Sequence, residues 1–202
     1  MGIFSMFRKR SSEDIYQEIA SKIVVSSLSY RMQLDETDPQ LTGNAAAEVA
    51  YLLLHLVDRA AFQVLGEAGR NVAFDRIAKI VISDYAHALF KLSTPPDVVA
   101  DVGAKMLDDM NDRQLSYAAC HTFTESPWPS RGTMVFACGY FIHRALGRTN
   151  RTDVDAILRG EENVTEYNID AFPDLEQTLK LSIHLSNIAA TLRLADCLKR
   201  LR

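Results

Sequence analysis

The five histidines are the side chains most open to chemistry, and they fall one to each long apolar-periodic segment: His55, His87, His121, His143 and His184. Helical bundles build metal and cofactor sites from inward side chains on several facing helices, and this distribution is compatible with one. His55 stands three residues before Asp58, and Asp84 three before His87. That spacing puts each imidazole and carboxylate on one helical face, near enough to share a cation. His55, Asp58, Asp84 and His87 are therefore the candidate metal ligands, with His121 as an outlying fifth. The faces oppose this reading. Glu48, Tyr51, His55, Asp58 and Arg59 form one polar stripe, and Arg76, Lys79, Ser83, Asp84, His87 and Lys91 form another. Stripes that carry lysine and arginine read as the solvated sides of amphipathic helices, and the paired Glu-x-x-His motifs of di-iron bundles are missing.

A second cluster, Asp108-Asp109-Met110-Asn111-Asp112, reads D-D-x-x-D. It resembles the aspartate-rich motif of isoprenoid synthases, which implies magnesium and diphosphate held by Asp108 and Asp112 on one face of a helix. No second aspartate-rich segment accompanies it, and an exposed acidic turn accounts for the same residues. Arg131, His143, Arg144, Arg148 and Arg151 group around the fifth helical segment. They read either as a grip for a carboxylate or phosphate or as counter-charges to Asp153, Asp155 and Glu161. Trp128, the only tryptophan, stands between Pro127 and Pro129 and is the candidate anchor for a partner. No nucleophile elbow, phosphate loop, dinucleotide fingerprint or zincin motif is present, so no catalytic set and no cofactor are expected.

The elements that position these residues are helices. Of 202 residues, 48% are hydrophobic and 24% charged, the balance of a globular chain. Glycine and proline number 9 and 6, against roughly 24 together at average usage. Few punctuators mean long elements. Ser11 and Ser12 followed by Glu13 and Asp14 open a first helix, in which Ile15, Ile19 and Ile23 recur at fourfold steps as far as about Met32. Residues 34–43 read as a loop. A second helix runs from Asn44 to Gly66, and a third carries Phe74, Ile77, Val81, Tyr85, Ala88 and Leu92 on one face. The short turn at residues 66–69 makes these two an antiparallel hairpin.

After Pro95 and Pro96, the residues Val99, Val102, Met106 and Met110 mark a fourth helix, with a kink expected at Asn111-Asp112-Arg113. Residues 124–132 are non-helical. Residues 134–146 are apolar all round, the pattern of a buried central helix and hub of the core. A short helix at residues 153–158 and a final one, with Pro173 in its first turn and reaching almost to Arg202, complete the chain, the last about 40 Å long at 1.5 Å per residue. The expected fold is a single all-α domain, a bundle of six or seven helices over residues 11–202, preceded by an apolar and basic tail, residues 1–10.

Charge bounds the partners. The net charge is −4, but Arg8, Lys9, Arg10, Lys199, Arg200 and Arg202 sit at the two ends, leaving 16 basic against 26 acidic residues between them. So acidic a body repels phosphate backbones, which argues against nucleic acid as the main partner unless the basic ends act alone, and it suits a basic protein. Three scattered cysteines, Cys120, Cys138 and Cys197, make neither a disulfide framework nor a metal knuckle and fit a reducing compartment. The basic residues follow the apolar start, the reverse of a signal peptide, and no apolar stretch is read as a membrane span. Ile3, Phe4, Met6 and Phe7 offer a weak membrane-surface contact through the tail. These features lead to a cytoplasmic, non-catalytic helical interaction protein, an adaptor, chaperone-like or regulatory domain that binds a protein partner. The rival is a metal- or small-ligand-binding bundle, an enzyme included, built on the His/Asp pairs. Self-association through the apolar faces of the final helix is also expected.

Overall fold

The computed structural model describes residues 11–90, 94–120, 133–148, 183–188, 190 and 192–202. Helix α1 (Ser12–Arg31) opens with a reciprocal cap: Asp14 donates its backbone N–H to Ser11 Oγ at 3.2 Å, and Ser11 N–H donates to Asp14 Oδ2 at 2.8 Å. Its isoleucines at positions 15, 19 and 23 are buried, as their spacing requires.

Helix α2 (Pro39–Leu89) starts before the expected Asn44, because Asp38 is the cap. Its carboxylate accepts from the N–H groups of Gln40 at 2.7 Å and Leu41 at 3.3 Å, and Pro39 takes the first helical position, where an N–H has no partner to lose. Helical geometry fails inside α2 only at Gly66, with φ 72° and ψ −179°, a conformation confined in practice to glycine. There the chain reverses. Arg70 Nη2 reaches back to Asp58 Oδ2 at 2.8 Å, and the Tyr85 hydroxyl donates to the Gly43 carbonyl at 2.9 Å. The expected hairpin is thus present, with its turn narrowed to one residue. We call the two halves the first and second arms.

Helix α3 (Pro96–Ala118) follows, and it is unbroken where a kink was expected. Arg113 points inward to an acid on the first arm, so the lapse in the apolar pattern marks a buried ion pair. Leu115, the supposed resumption, is exposed. Helix α4 (Met134–Ala145) is buried from Met134 to His143. The hub, however, is α2, which alone packs against α1, α3, α4 and the last helix, α5 (Leu194–Lys199).

The expected long final helix does not persist. Residues 183–188 are helical, but Arg193 adopts φ 48° and ψ 45°, and α5 restarts beyond it. Leu192 and Leu194 are both buried. Two residues apart on a continuous helix they would lie about 200° from one another, and the break lets both turn inward. Helix α5 is pinned to α1 by Arg200 Nη2 on Glu18 Oε2 at 2.8 Å and Lys22 Nζ on Cys197 Sγ at 3.2 Å.

Two further readings are amended. An 18-residue part of α2 is long and apolar enough, by composition, to cross a bilayer, contrary to the expectation of no such stretch, and 56% of it is buried inside the protein. Its aliphatic residues pack on α1, α3 and α4, the packing of a core helix. The polar stripe Glu48, Tyr51 and His55, expected to face water, is buried. The tail 1–10, Trp128, His121, Arg131, Arg151, residues 124–132 and the short helix at 153–158 lie outside the described residues.

Candidate functional site

Helix α3 borders both arms of the hairpin, and each border holds a recess. On one side Arg113 meets Glu48, donating from Nε to Oε2 at 2.8 Å and from Nη2 to Oε1 at 2.9 Å. Glu48 is 5% exposed and the Arg113 side chain 16%. Charges so removed from water persist with this two-point, fork-to-carboxylate geometry. The Arg113 guanidinium lies over the Phe141 ring of α4, 3.9 Å from its centroid, which fixes the plane of the group. Burial pushes the Glu48 carboxyl above its ordinary value against the pull of Arg113. Burial would lower the Arg113 guanidinium, but the facing carboxylate outweighs it and holds the group protonated. Beside the pair opens a cleft of about 380 Å³, whose lining includes Asn44, Tyr51, Lys105, Asp109 and Arg144.

The buried polar groups continue along the same seam. The Cys138 thiol of α4 donates to the Glu48 carbonyl at 3.7 Å. His55 Nδ1 lies 2.7 Å from Gln114 Oε1, so Nδ1 carries the proton, and Nε2 is buried without a partner among the described residues, as is Gln114 Nε2. Burial lowers the His55 imidazole, keeping it neutral at neutral pH. Burial also pushes the Cys120 thiol up to about 11 and Cys138 higher still. Both thiols are therefore held in the protonated form, which is the less nucleophilic one.

The four candidate metal ligands are not brought together. His55 is engaged with Gln114, Asp58 with Arg70, Asp84 with Gln17 Nε2 of α1 at 3.0 Å, and His87 Nδ1 with the Ser83 carbonyl at 2.7 Å. The hairpin register places Asp84 across from the start of the first arm, roughly 15 Å along the axis from His55 at 1.5 Å per residue. Among the described residues no three of His, Cys, Asp and Glu converge on a common point. Asp108 and Asp112 are exposed on α3, and Asp109 turns to the cleft.

On its other side α3 faces the second arm across a trough of about 410 Å³, lined by Lys79, Ile82, Ala86 and His87 of α2 and by Val99, Ala100, Gly103, Ala104 and Leu107 of α3. Small residues on the floor allow a close approach of another backbone. On the exposed face of α3, outside the lining of the trough, stand Asp97, Asp101, Asp108 and Asp112, at steps of four, seven and four. These share one exposed face, and none of them forms an ion pair among the described residues.

The Glu48–Arg113 pair escapes a reading of stripes alone, yet two signals mark it. Glu48 is the only charge inside the apolar run of residues 45–57, and a charge carried into a core needs a partner. Arg113 continues the buried face of Met106 and Met110 at helical spacing. No protein-family model matches this chain, and no curated protein or solved structure is significantly similar to it.

Proposed function

We propose that the protein is a non-catalytic helical interaction protein whose docking surface is the trough between the second arm of α2 and α3. Its partner is a basic amphipathic helix. The observation that carries this is the pairing of an apolar, small-residue floor with four aspartates exposed on the neighbouring face of α3, none of them in an ion pair among the described residues. An apolar face seats in the trough as helices seat in hydrophobic grooves, and lysines or arginines on its flank meet Asp97, Asp101 and Asp108. The acidic balance of the chain between its basic ends steers such a partner towards this surface. The buried, protonated thiols of Cys120 and Cys138 and the dispersed histidines support a binding role over a catalytic one.

The test is a pair of synthetic peptides with one leucine face, one flanked by lysines and the other by glutamates, titrated by fluorescence anisotropy at low and high salt. The lysine peptide is expected to bind, to weaken as salt is raised, and to lose affinity both to Asp101→Lys with Asp108→Lys and to Ala104→Trp. Equal binding of the two peptides, or binding of neither, refutes the assignment. Concentration-dependent light scattering abolished by Ala104→Trp would show a second copy in the trough and likewise overturn it.

A further inference from the structure

On a different observation, we propose that the cleft at the Glu48–Arg113 pair is a binding site for a small molecule carrying an oxyanion, a carboxylate or phosphate. Arg113 spends Nε and one hydrogen of Nη2 on Glu48, and Nη1 makes no hydrogen bond among the described residues. The group is locked from two directions, by the carboxylate along one edge and the Phe141 ring across its face. Its remaining edge is therefore a fixed fork of donors, the geometry that planar oxyanions bind at two points. Preorganisation of this kind spares a ligand the entropy of ordering the side chain.

Lys105 and Arg144 stand with Arg113 in the lining of the cleft, beside Glu48 and Asp109. Glu48 is already satisfied by Arg113, which leaves Lys105 to meet incoming negative charge at the mouth. A volume of about 380 Å³ is at the lower end of small-molecule sites, which suits a compact metabolite and not a polymer. The amide of Asn44 and the ring of Tyr51 on the first arm supply the polar and apolar walls of such a site.

Inorganic phosphate and succinate serve as probes, followed by NMR of the Arg113 Nε–H and the Phe141 ring protons. One of the two is expected to shift both signals saturably. Saturation by phosphate alone assigns a phosphate ligand, and by succinate alone a carboxylate. Because Arg113 variants are expected to unfold readily, Lys105→Glu is the informative change: it leaves the helix intact and should weaken the effective probe by about tenfold, the loss of one charge-assisted contact. Arg113→Lys, if folded, keeps the charge but loses the fork and should weaken it similarly. Absence of saturable shifts with either probe, or affinity unchanged in Lys105→Glu, overturns the site.

Discussion

Replacing Arg113 by methionine strands the Glu48 carboxylate where it is 5% exposed, with both of its charge-assisted hydrogen bonds gone. Breaking a buried pair from one side costs about 3–5 kcal/mol, because the remaining charge keeps its desolvation penalty. With a urea slope of about 2 kcal/mol per M, the unfolding midpoint should fall by roughly 1.5–2.5 M. The loss should depend on pH in a way the reverse change does not. Burial already pushes the Glu48 carboxyl upward, and removing the cation that opposes this raises it further. The folded variant then takes up a proton more readily than the unfolded chain. Its deficit is accordingly largest near pH 8 and shrinks as pH falls towards 5. Glu48→Met instead leaves a guanidinium that cannot be neutralised and removes the carboxyl that takes up the proton, so its deficit does not shrink as pH falls. The double variant should recover most of the loss, with a coupling of about 2–3 kcal/mol. Urea melts of the four proteins at both pH values decide the matter. An Arg113→Met deficit below about 1 kcal/mol, or one independent of pH, would refute the reasoning.

Gly66→Ala should destabilise by about 1–3 kcal/mol, from backbone strain alone, since an added Cβ meets nothing within 4 Å; a thermal melt equal to the parent's would contradict the turn geometry. Asp38→Ala, which deprives two N–H groups of their acceptor, should cost about 1 kcal/mol by urea titration. His55 is held neutral by burial, so its contribution is present above the ordinary imidazole value and is lost as pH falls below it. Stability measured from pH 8 to 5 should decline, and His55→Gln should flatten that decline.

The helices were legible wherever apolar spacing was clean. Ile15, Ile19 and Ile23 announced α1, the unbroken apolar run announced α4, and the glycines at 66 and 69 announced the hairpin. Reading failed where a polar residue serves the interior. Arg113 and Gln114 looked like an interruption of α3 because one sequence does not show that Glu48 and His55 await them on another helix. A stripe of charged residues has the same appearance facing water or facing a buried counter-charge, and only the packing of α2 against α3 separates the cases. The end of the chain misled for a related reason. Leucine spacing was continuous through Arg193, and the reversal that buries both Leu192 and Leu194 leaves no mark in helical periodicity.

The bond between Arg200 and Glu18 spans 182 positions of the chain, whereas that between Tyr85 and Gly43 spans 42. Distant ends are brought together at an entropic cost that grows with the loop, so the hairpin is the natural nucleus and the seam between first and last helices closes late. Stopped-flow chevrons should then show Tyr85→Phe slowing folding and Arg200→Ala mainly accelerating unfolding, and the reverse assignment would contradict this order. In such a sequence of events the last helix behaves as a latch: it sets how long the folded molecule lasts more than how quickly it forms.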